Sequence, residues 1–242
     1  MMNWSLVLSV LIVCLAGFVH GLGGFGVGLV AMALLPMLMS LHDAVAAVVL
    51  LTVVVVGVTF LKMRAHYSWR QGLWFVVGSC VGTPLGVAFL IKMDERFLRH
   101  CLGGVMVLLA FNELFIFRKK GLPIPSFLAF PIGLVSGSLG GAFNMGGPPA
   151  IAFVYSQLWS KEQVTALLQV VFGTGIVVRL TMLGSAGMME GKLWQIGAWG
   201  VVPMLFAMAL GRRCFAMISR DHLKRGAFIF LAVMGFKYFI FA

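Results

Sequence analysis

The stretch GGAFNMGGPP at residues 140–149 combines residue types that can bind an anion. Its glycines permit positive φ angles and the close approach of a ligand, and its prolines suit the first turn of a new helix. We therefore predict a helix that begins near residue 147 and directs free N–H groups and a partial positive charge at the break. The side-chain amide of Asn144 either donates to an oxyanion or only caps the helix and supports the turn. The candidate binding positions here are Gly140, Gly141, Asn144, Gly146, Gly147 and Pro148.

A second glycine-rich stretch, GLGGFGVG at residues 21–28, lies in the first half of the chain. An offset of 117 residues aligns its Gly23-Gly24 with Gly140-Gly141, so the two stretches form a pair. His20 precedes this break, and a histidine titrates near neutral pH. It is either the proton-coupling residue or a core histidine that makes a structural hydrogen bond. The candidate binding positions of the first break are Gly23, Gly24, Phe25 and Gly26.

Two polar residues lie inside the later apolar segment 163–183. Arg179 either offers its guanidinium to the anion as a forked donor or extends along the helix to a membrane interface. Gln169 is either a ligand of the anion or a donor in a hydrogen bond between helices. Both residues are therefore candidate members of the binding site.

The elements that must position these residues are membrane helices. Of the 242 residues, 61% are hydrophobic and 10% charged, and the mean hydropathy is +1.05. Soluble domains contain roughly 45–50% apolar residues, so we predict an all-α polytopic membrane protein with a single transmembrane domain over residues 1–242. The net charge of +11 comes from basic clusters between apolar runs, which is typical of topology signals rather than of a nucleic-acid partner. The four cysteines have no metal-binding spacing, so no metal or other cofactor is expected.

Hydropathy divides the chain into ten apolar segments, and the arms that flank the glycine breaks are short. These arms have 11 to 16 residues and rise only about 16–24 Å as helix, against a hydrocarbon core of roughly 30 Å. They fit half-membrane hairpins, shortened spans or the two halves of one broken helix. Backbone groups without partners cannot face lipid, so both breaks must be internal. The segments lie near residues 4–19, 27–41, 44–61, 72–91, 97–117, 126–139, 148–158, 163–183, 193–210 and 224–241.

The basic residues favour a chain that turns back at each break. If the chain instead ran straight on, the lysines and arginines other than Arg179 would divide 8 to 9 between the two sides, with no bias. A returning chain places 12 on one side and 5 on the other, and cytoplasmic loops hold the excess. We therefore predict two hairpins and both termini outside. The larger group is Lys62, Arg64, Arg70, Arg118, Lys119, Lys120, Lys161, Arg212, Arg213, Arg220, Lys224 and Arg225.

The two halves of the chain are related by an internal duplication. An offset of 119 residues aligns Asp43 with Glu162, Gly78 with Gly197 and Pro84 with Pro203. We expect repeats over approximately 4–117 and 126–242, each a glycine-broken hairpin followed by three spanning helices. The predicted topology inverts the second repeat relative to the first. Inverted repeats with broken helices are typical of secondary transporters that work by alternating access around a midplane site.

The segments GLGGFGVGLV and SLGGAFNMGGPPAIAFVY resemble those of the TauE/SafE family of sulfite and organosulfonate exporters, also called the 4-toluene sulfonate uptake permease family. The resemblance covers nearly the whole chain, and its specific part is GGAFNMGGPPA, whereas the first half lacks a proline after GLGGFGVG. It implies a multi-pass transporter in a bacterial inner membrane for small sulfur-containing anions such as sulfite or sulfoacetate. A homodimer is a candidate assembly. The family holds exporters and importers, and the inside-negative potential, worth about 2.3 kcal/mol per 100 mV for a monovalent anion, favours export.

Other functions are compatible with parts of this pattern. The same glycine breaks could serve an anion channel with re-entrant loops, a proton-coupled importer of the same anions or a membrane scaffold that transports nothing. An intramembrane protease could use Ser136 or Ser138, but it needs a histidine base, and His20 is the histidine in an apolar setting. We therefore expect a transporter and no enzymatic activity.

Overall fold

The computed structural model describes residues 4–23, 26–66, 72–116, 124–157, 159–189, 191–214 and 220–241, and within these ranges the regular secondary structure is helical. Short 3-10 turns follow α2 and α3 and precede α6, and a π-helical turn over Asn112–Ile116 follows α5. The helices of the described ranges are α1 (Trp4–Gly23), α2 (Val27–Leu34), α3 (Leu41–Met63), α4 (Leu73–Lys92), α5 (Glu95–Phe111), α6 (Ala129–Phe143), α7 (Gly147–Tyr155), α8 (Lys161–Ser185), α9 (Gly191–Cys214) and α10 (Arg220–Phe241).

Seven helices of the described part are long and apolar enough to cross a membrane. They are α1, α3, α4, α5, α8, α9 and α6 together with the turn before it. Helix α10 has 22 residues but carries more basic residues than these seven, and it is not among them. The prediction of an all-helical polytopic membrane protein is confirmed, and the inversion of the repeats stays a prediction.

Each glycine break joins a long helix to a short one. Helix α1 has 20 residues, and α6 with its preceding turn has 18, whereas α2 has 8 and α7 has 9. The predicted ends of the first arms, at residues 19 and 139, were therefore wrong, because the helices continue through the first glycines of each break to residues 23 and 143. The short arms rise only about 12–14 Å, less than half of the hydrocarbon core.

The helices form two compact units, each built from both halves of the sequence. The first unit contains α1, α2, α5, α9, α10 and the start of α3, within residues 1–51, 93–119 and 189–242. The second contains the end of α3 with α4, α6, α7 and α8, within residues 52–92 and 120–188. Both units therefore hold one glycine break and helices from each predicted repeat.

In the second unit, α4 and α6 pack backbone against backbone. A Cβ atom at Gly78, Gly82 or Gly86 of α4 would overlap a carbonyl oxygen of α6, that of Phe130, Leu134 or Ser138 respectively. The contact is reciprocal, because a Cβ at Gly133, Gly137 or Gly141 of α6 would overlap the carbonyl oxygens of Phe75, Ser79 and Thr83 on α4. Glycines at a spacing of four residues let membrane helices approach this closely. The α4–α6 pair therefore holds the first arm of the second break in a fixed register.

A cluster of aromatic side chains anchors the short helix α7 in the same unit. The rings of Phe75 on α4 and Phe153 on α7 are stacked with centroids 5.1 Å apart, and Trp159 meets Phe153 edge to face at 6.4 Å. Phe75 is fully buried and Phe153 almost so. These contacts fix α7 against the helix that also holds α6.

The first unit uses the same close packing around α1. A Cβ at Gly17 or Gly21 would collide with the backbone of Met204 or Met208 on α9, and one at Gly211 would collide with that of Phe18 on α1.

The loop after α2 is held by two charged residues of α5, Arg99 and Glu95. Arg99 donates to the carbonyl oxygens of Pro36 (2.7 Å) and Met39 (3.3 Å) and pairs with Glu95, whose carboxylate accepts the N–H of Leu41 at 3.1 Å.

We expect Gly82→Ala to destabilise the protein by about 1–3 kcal/mol, the range for an overpacked interior, because the new methyl group would overlap the Leu134 carbonyl oxygen. The matched control is Gly57→Ala on α3, where a Cβ meets nothing within 4 Å and alanine is the better helix former. Thermal unfolding in detergent would compare the two. Equal melting temperatures for both variants would contradict the close α4–α6 contact.

Candidate functional site

The chain reverses direction at the second break, between α6 and α7. Asn144 ends α6 in the left-handed conformation, with φ 55° and ψ 22°, and its N–H donates to the carbonyl oxygen of Gly140 at 3.1 Å. The N–H of Met145 then reaches back to the carbonyl oxygen of Leu139 at 3.1 Å. Asparagine tolerates this conformation better than most residues because its short polar side chain can hydrogen-bond locally. The predicted turn is therefore present, and Asn144 makes it.

Two of the four glycines of this break, Gly141 and Gly146, serve close packing. Among the described residues the one positive φ in the stretch belongs to Asn144, so the glycines do not use the positive φ angles that they permit. A Cβ at Gly146 would overlap the carbonyl oxygen of Ser136, and the Ser136 hydroxyl donates to the carbonyl oxygen of Gly146 at 2.7 Å. Gly141 abuts Thr83 of α4, and a Cβ at Gly140 would make only ordinary contacts with Gly146, 3.7 Å or more away. The second arm therefore folds back directly onto the first.

Helix α7 begins at Gly147, as predicted. Pro148 and Pro149 occupy its first turn and have no N–H groups, so Gly147 supplies the amide there. The N–H of Ala150 already bonds to the carbonyl oxygen of Gly146 at 3.3 Å. A Cβ at Gly147 would meet nothing within 4 Å, so the space beside this amide is open. The helix dipole thus points at the break, but with fewer N–H donors than the prediction assumed.

Arg179 of α8 brings a positive charge to the same break. Its side chain is only 7% exposed, so it does not extend to an interface. One guanidinium nitrogen, Nη1, donates to the carbonyl oxygen of Gly140 at 3.1 Å and to the side-chain oxygen of Asn144, while Nε donates to the carbonyl oxygen of Gly175 at 3.1 Å.

The start of α8, the helix that carries Arg179, is fixed by a capping box, in which Ser160 and Gln163 exchange hydrogen bonds of 3.2 and 3.0 Å.

The guanidinium of Arg179 has no acidic partner in the part of the chain that the structure describes. Its acceptors are two backbone carbonyls and one neutral amide, and Nη2 bonds to no described residue. Buried cations are ordinarily paired with a carboxylate or another anion. The break therefore combines a buried cation and the start of helix α7, and the two N–H groups of Nη2 bond to no described residue.

Gln169 lies outside this cluster. It is half-buried on α8, ten residues before Arg179, which is about 15 Å along the helix axis. Its predicted part in anion binding stays a prediction.

The first break is built differently from the second. Gly24 and Phe25 lie outside the described residues, Gly23 is the last residue of α1, and Gly26 has φ 132° and accepts the N–H of Val30 at 2.9 Å. His20 lies just before this break, and its Nδ1 is a buried atom for which the described residues offer no hydrogen-bond partner. The offsets that align the repeats pair Asn144 with Val27 and Arg179 with Phe60. Apolar residues therefore stand at the positions that the alignment of the predicted repeats pairs with Asn144 and Arg179.

Two supporting residues were not predicted as members of the site. Ser136, considered only as a nucleophile, holds Gly146 through its hydroxyl, and Thr83 contacts Gly141. Both are at least 98% buried. The sequence could have indicated both residues as neighbours of the break, because each lies next to a glycine of the close α4–α6 contact.

Comparison with known proteins agrees with this architecture. The family model described as sulfite exporter TauE/SafE matches residues 9–238. A protein from Cupriavidus necator, described as a probable sulfite/organosulfonate exporter TauE, is 26% identical over 221 residues, which cover 88% of this chain and 85% of that protein. No solved structure matches the chain. The chain therefore belongs to the sulfite exporter TauE/SafE family of transporters and is a multi-pass protein of the bacterial inner membrane.

Proposed function

We propose that the protein exports small sulfur-containing anions such as sulfite, sulfoacetate and other organosulfonates, and that the anion binds at the α6–α7 break beside Arg179. The observation that carries the proposal is the buried guanidinium, which has only neutral acceptors among the described residues. The family and the name of the Cupriavidus protein supply the class of substrate.

An oxyanion fits the chemistry of this break. Sulfite and sulfonate groups present several oxygens around one sulfur, and guanidinium binds such groups through two N–H donors with more geometric definition than an ammonium group can give. The Gly147 amide and the dipole of α7 add attraction for negative charge. Asn144 orients Nη1 of Arg179, which leaves Nη2 for the substrate.

Alternating access between two inverted repeats remains part of the proposal. The pairing of the helices supports it: α4 of the first repeat packs on α6 of the second within one unit, and α9 of the second repeat packs on α1 of the first within the other. Under the offsets of 119 and 117, α4 corresponds to α9 and α6 to α1. The two pairings are therefore equivalent, as a duplicated transporter would require.

A transport function without catalysis is part of the same proposal. The hydroxyl of Ser136 is buried and bonded to the Gly146 carbonyl, and that of Ser138 donates to the Gly82 carbonyl at 3.3 Å. Both serines of the protease alternative thus have structural bonds, which weakens the case for a nucleophile. We also keep the homodimer as a proposal for the assembly.

We expect Arg179→Lys to reduce sulfite flux in proteoliposomes about 10- to 100-fold, the equivalent of losing one or two charge-assisted hydrogen bonds. A lysine retains the charge but cannot reach Gly175, Gly140 and Asn144 together. The control is Arg213→Lys at the exposed end of α9. Thermal unfolding without anion shows whether each variant is folded, and a folded Arg179→Lys protein with wild-type flux would overturn the assigned site.

Asn144→Asp separates a binding role of the break from a purely structural one. Aspartate tolerates the left-handed turn, but its carboxylate would pair with Arg179 and compete with the substrate. We expect the variant to unfold at a temperature no lower than the wild type in the absence of anion, while sulfite no longer stabilises it and flux falls at least tenfold. If the break has only a structural role and the anion binds elsewhere, Asn144→Asp would keep both the stabilisation and the flux.

The direction of transport can be tested with a membrane potential. For a carrier that is not coupled to protons, an inside-negative potassium diffusion potential should accelerate efflux of a monovalent anion, because each 100 mV contributes about 2.3 kcal/mol. We expect this acceleration without a pH gradient and expect His20→Gln to preserve it. Flux that requires a pH gradient and is lost in His20→Gln would instead support the proton-coupled importer.

A further inference from the structure

Gly175 is an exception among the buried glycines of the second unit. The other described ones all lie where a Cβ would overlap a backbone carbonyl oxygen, so close packing requires them; they are Gly78, Gly82, Gly86, Gly133, Gly137, Gly141 and Gly146. At Gly175 a Cβ would make ordinary contacts only, at 3.6 Å from the Thr83 hydroxyl oxygen and 3.9 Å from Nη2 of Arg179. Its backbone is helical and has no positive φ. Neither packing nor conformation therefore requires a glycine here.

The missing side chain leaves a gap of about one methyl group beside the buried guanidinium. Gly175 lies one helical turn before Arg179, and the arginine side chain folds back over it, so that Nε bonds to the Gly175 carbonyl oxygen. A Cβ at 3.9 Å from Nη2 would not prevent this arrangement. Arg179 could therefore take the same position if residue 175 were alanine. Alanine would also favour the helix more than glycine does.

Thr83 of α4 closes the far side of this gap. Its hydroxyl donates to the Ser79 carbonyl at 2.8 Å, which fixes the rotamer, and its methyl carbon lies 4.0 Å from the position of the absent Cβ. Thr83 is 2% exposed. The gap is therefore bounded by the threonine, the helix backbone and Nη2, the guanidinium nitrogen that bonds to no described residue.

We propose that Gly175 and Thr83 determine which sulfur anions the protein carries, because the organic group of a sulfonate occupies the gap while its oxyanion binds Nη2 of Arg179. The inference rests on the proposed function and specifies the size of the organic group, which the gap limits to about one methyl. Sulfite has no organic group and does not need the gap.

The test is Gly175→Ala, with flux of sulfite and of methanesulfonate measured in proteoliposomes, because the organic group of methanesulfonate is a single methyl. We expect the ratio of methanesulfonate flux to sulfite flux to fall at least tenfold. Gly173→Ala is the matched control, because it lies on the same helix and its Cβ would also make an ordinary contact, at 3.7 Å from Val56. Thr83→Ser, which removes only the methyl group, enlarges the gap and should raise the flux of ethanesulfonate relative to that of sulfite.

The outcomes separate the inference from the proposed function. If the wild type carries both anions and Gly175→Ala leaves their ratio unchanged, the inference is wrong and the proposed function stands. A wild type that carries sulfite alone also overturns the inference, because the gap then has no occupant. A wild type that carries neither anion overturns the proposed function and the inference with it. An equal loss for both anions, with a lower melting temperature, would assign Gly175 a structural role instead.

Discussion

The arrangement of the site depends on one hydrogen-bonded contact, between the buried guanidinium of Arg179 and the end of helix α6. The last turn of a helix leaves carbonyl groups without intrahelical partners, and these groups carry the negative end of the helix dipole. Arg179 bonds to one of them, at Gly140, and to the side chain of the residue that ends the helix. The charge is therefore solvated by dipoles rather than neutralised, which lets a mobile anion compete for it.

The close contact of α4 and α6 makes this geometry possible. If either helix carried side chains at the contact, their backbones would separate, and the Gly140 carbonyl would move with α6. The register set by glycines on both helices places the end of α6 at one position, while the stacked Phe75 and Phe153 rings hold α7. Backbone contact without side chains leaves few rotamers to adjust, so the end of α6 is held by backbone contacts rather than by flexible side chains.

The sequence predicted the elements well and the contacts poorly. Apolar runs and glycine punctuation identified the helices, the break and the start of α7, because these depend on local composition. The sequence did not show which residue of the break adopts the left-handed conformation, since glycine and asparagine can both adopt positive φ and the tertiary contacts decide between them. Arg179 and Asn144 are 35 residues apart, and no local pattern reports that their side chains meet. The predicted lengths of α1 and α6 were too short. The glycines near the ends of these helices were interpreted as helix breakers, whereas they lie inside the helices.

The two breaks share an arrangement of helices but differ in the polar residues that the alignment of the predicted repeats places at them. Both join a long helix to a short one, and both long helices pack through glycines onto a helix of the other repeat. Phe60 and Val27 stand where the alignment of the predicted repeats places Arg179 and Asn144. Under the proposed function, the single guanidinium of Arg179 binds one negative charge and, when the anion leaves, keeps its hydrogen bonds to the Gly140 carbonyl and the Asn144 side chain.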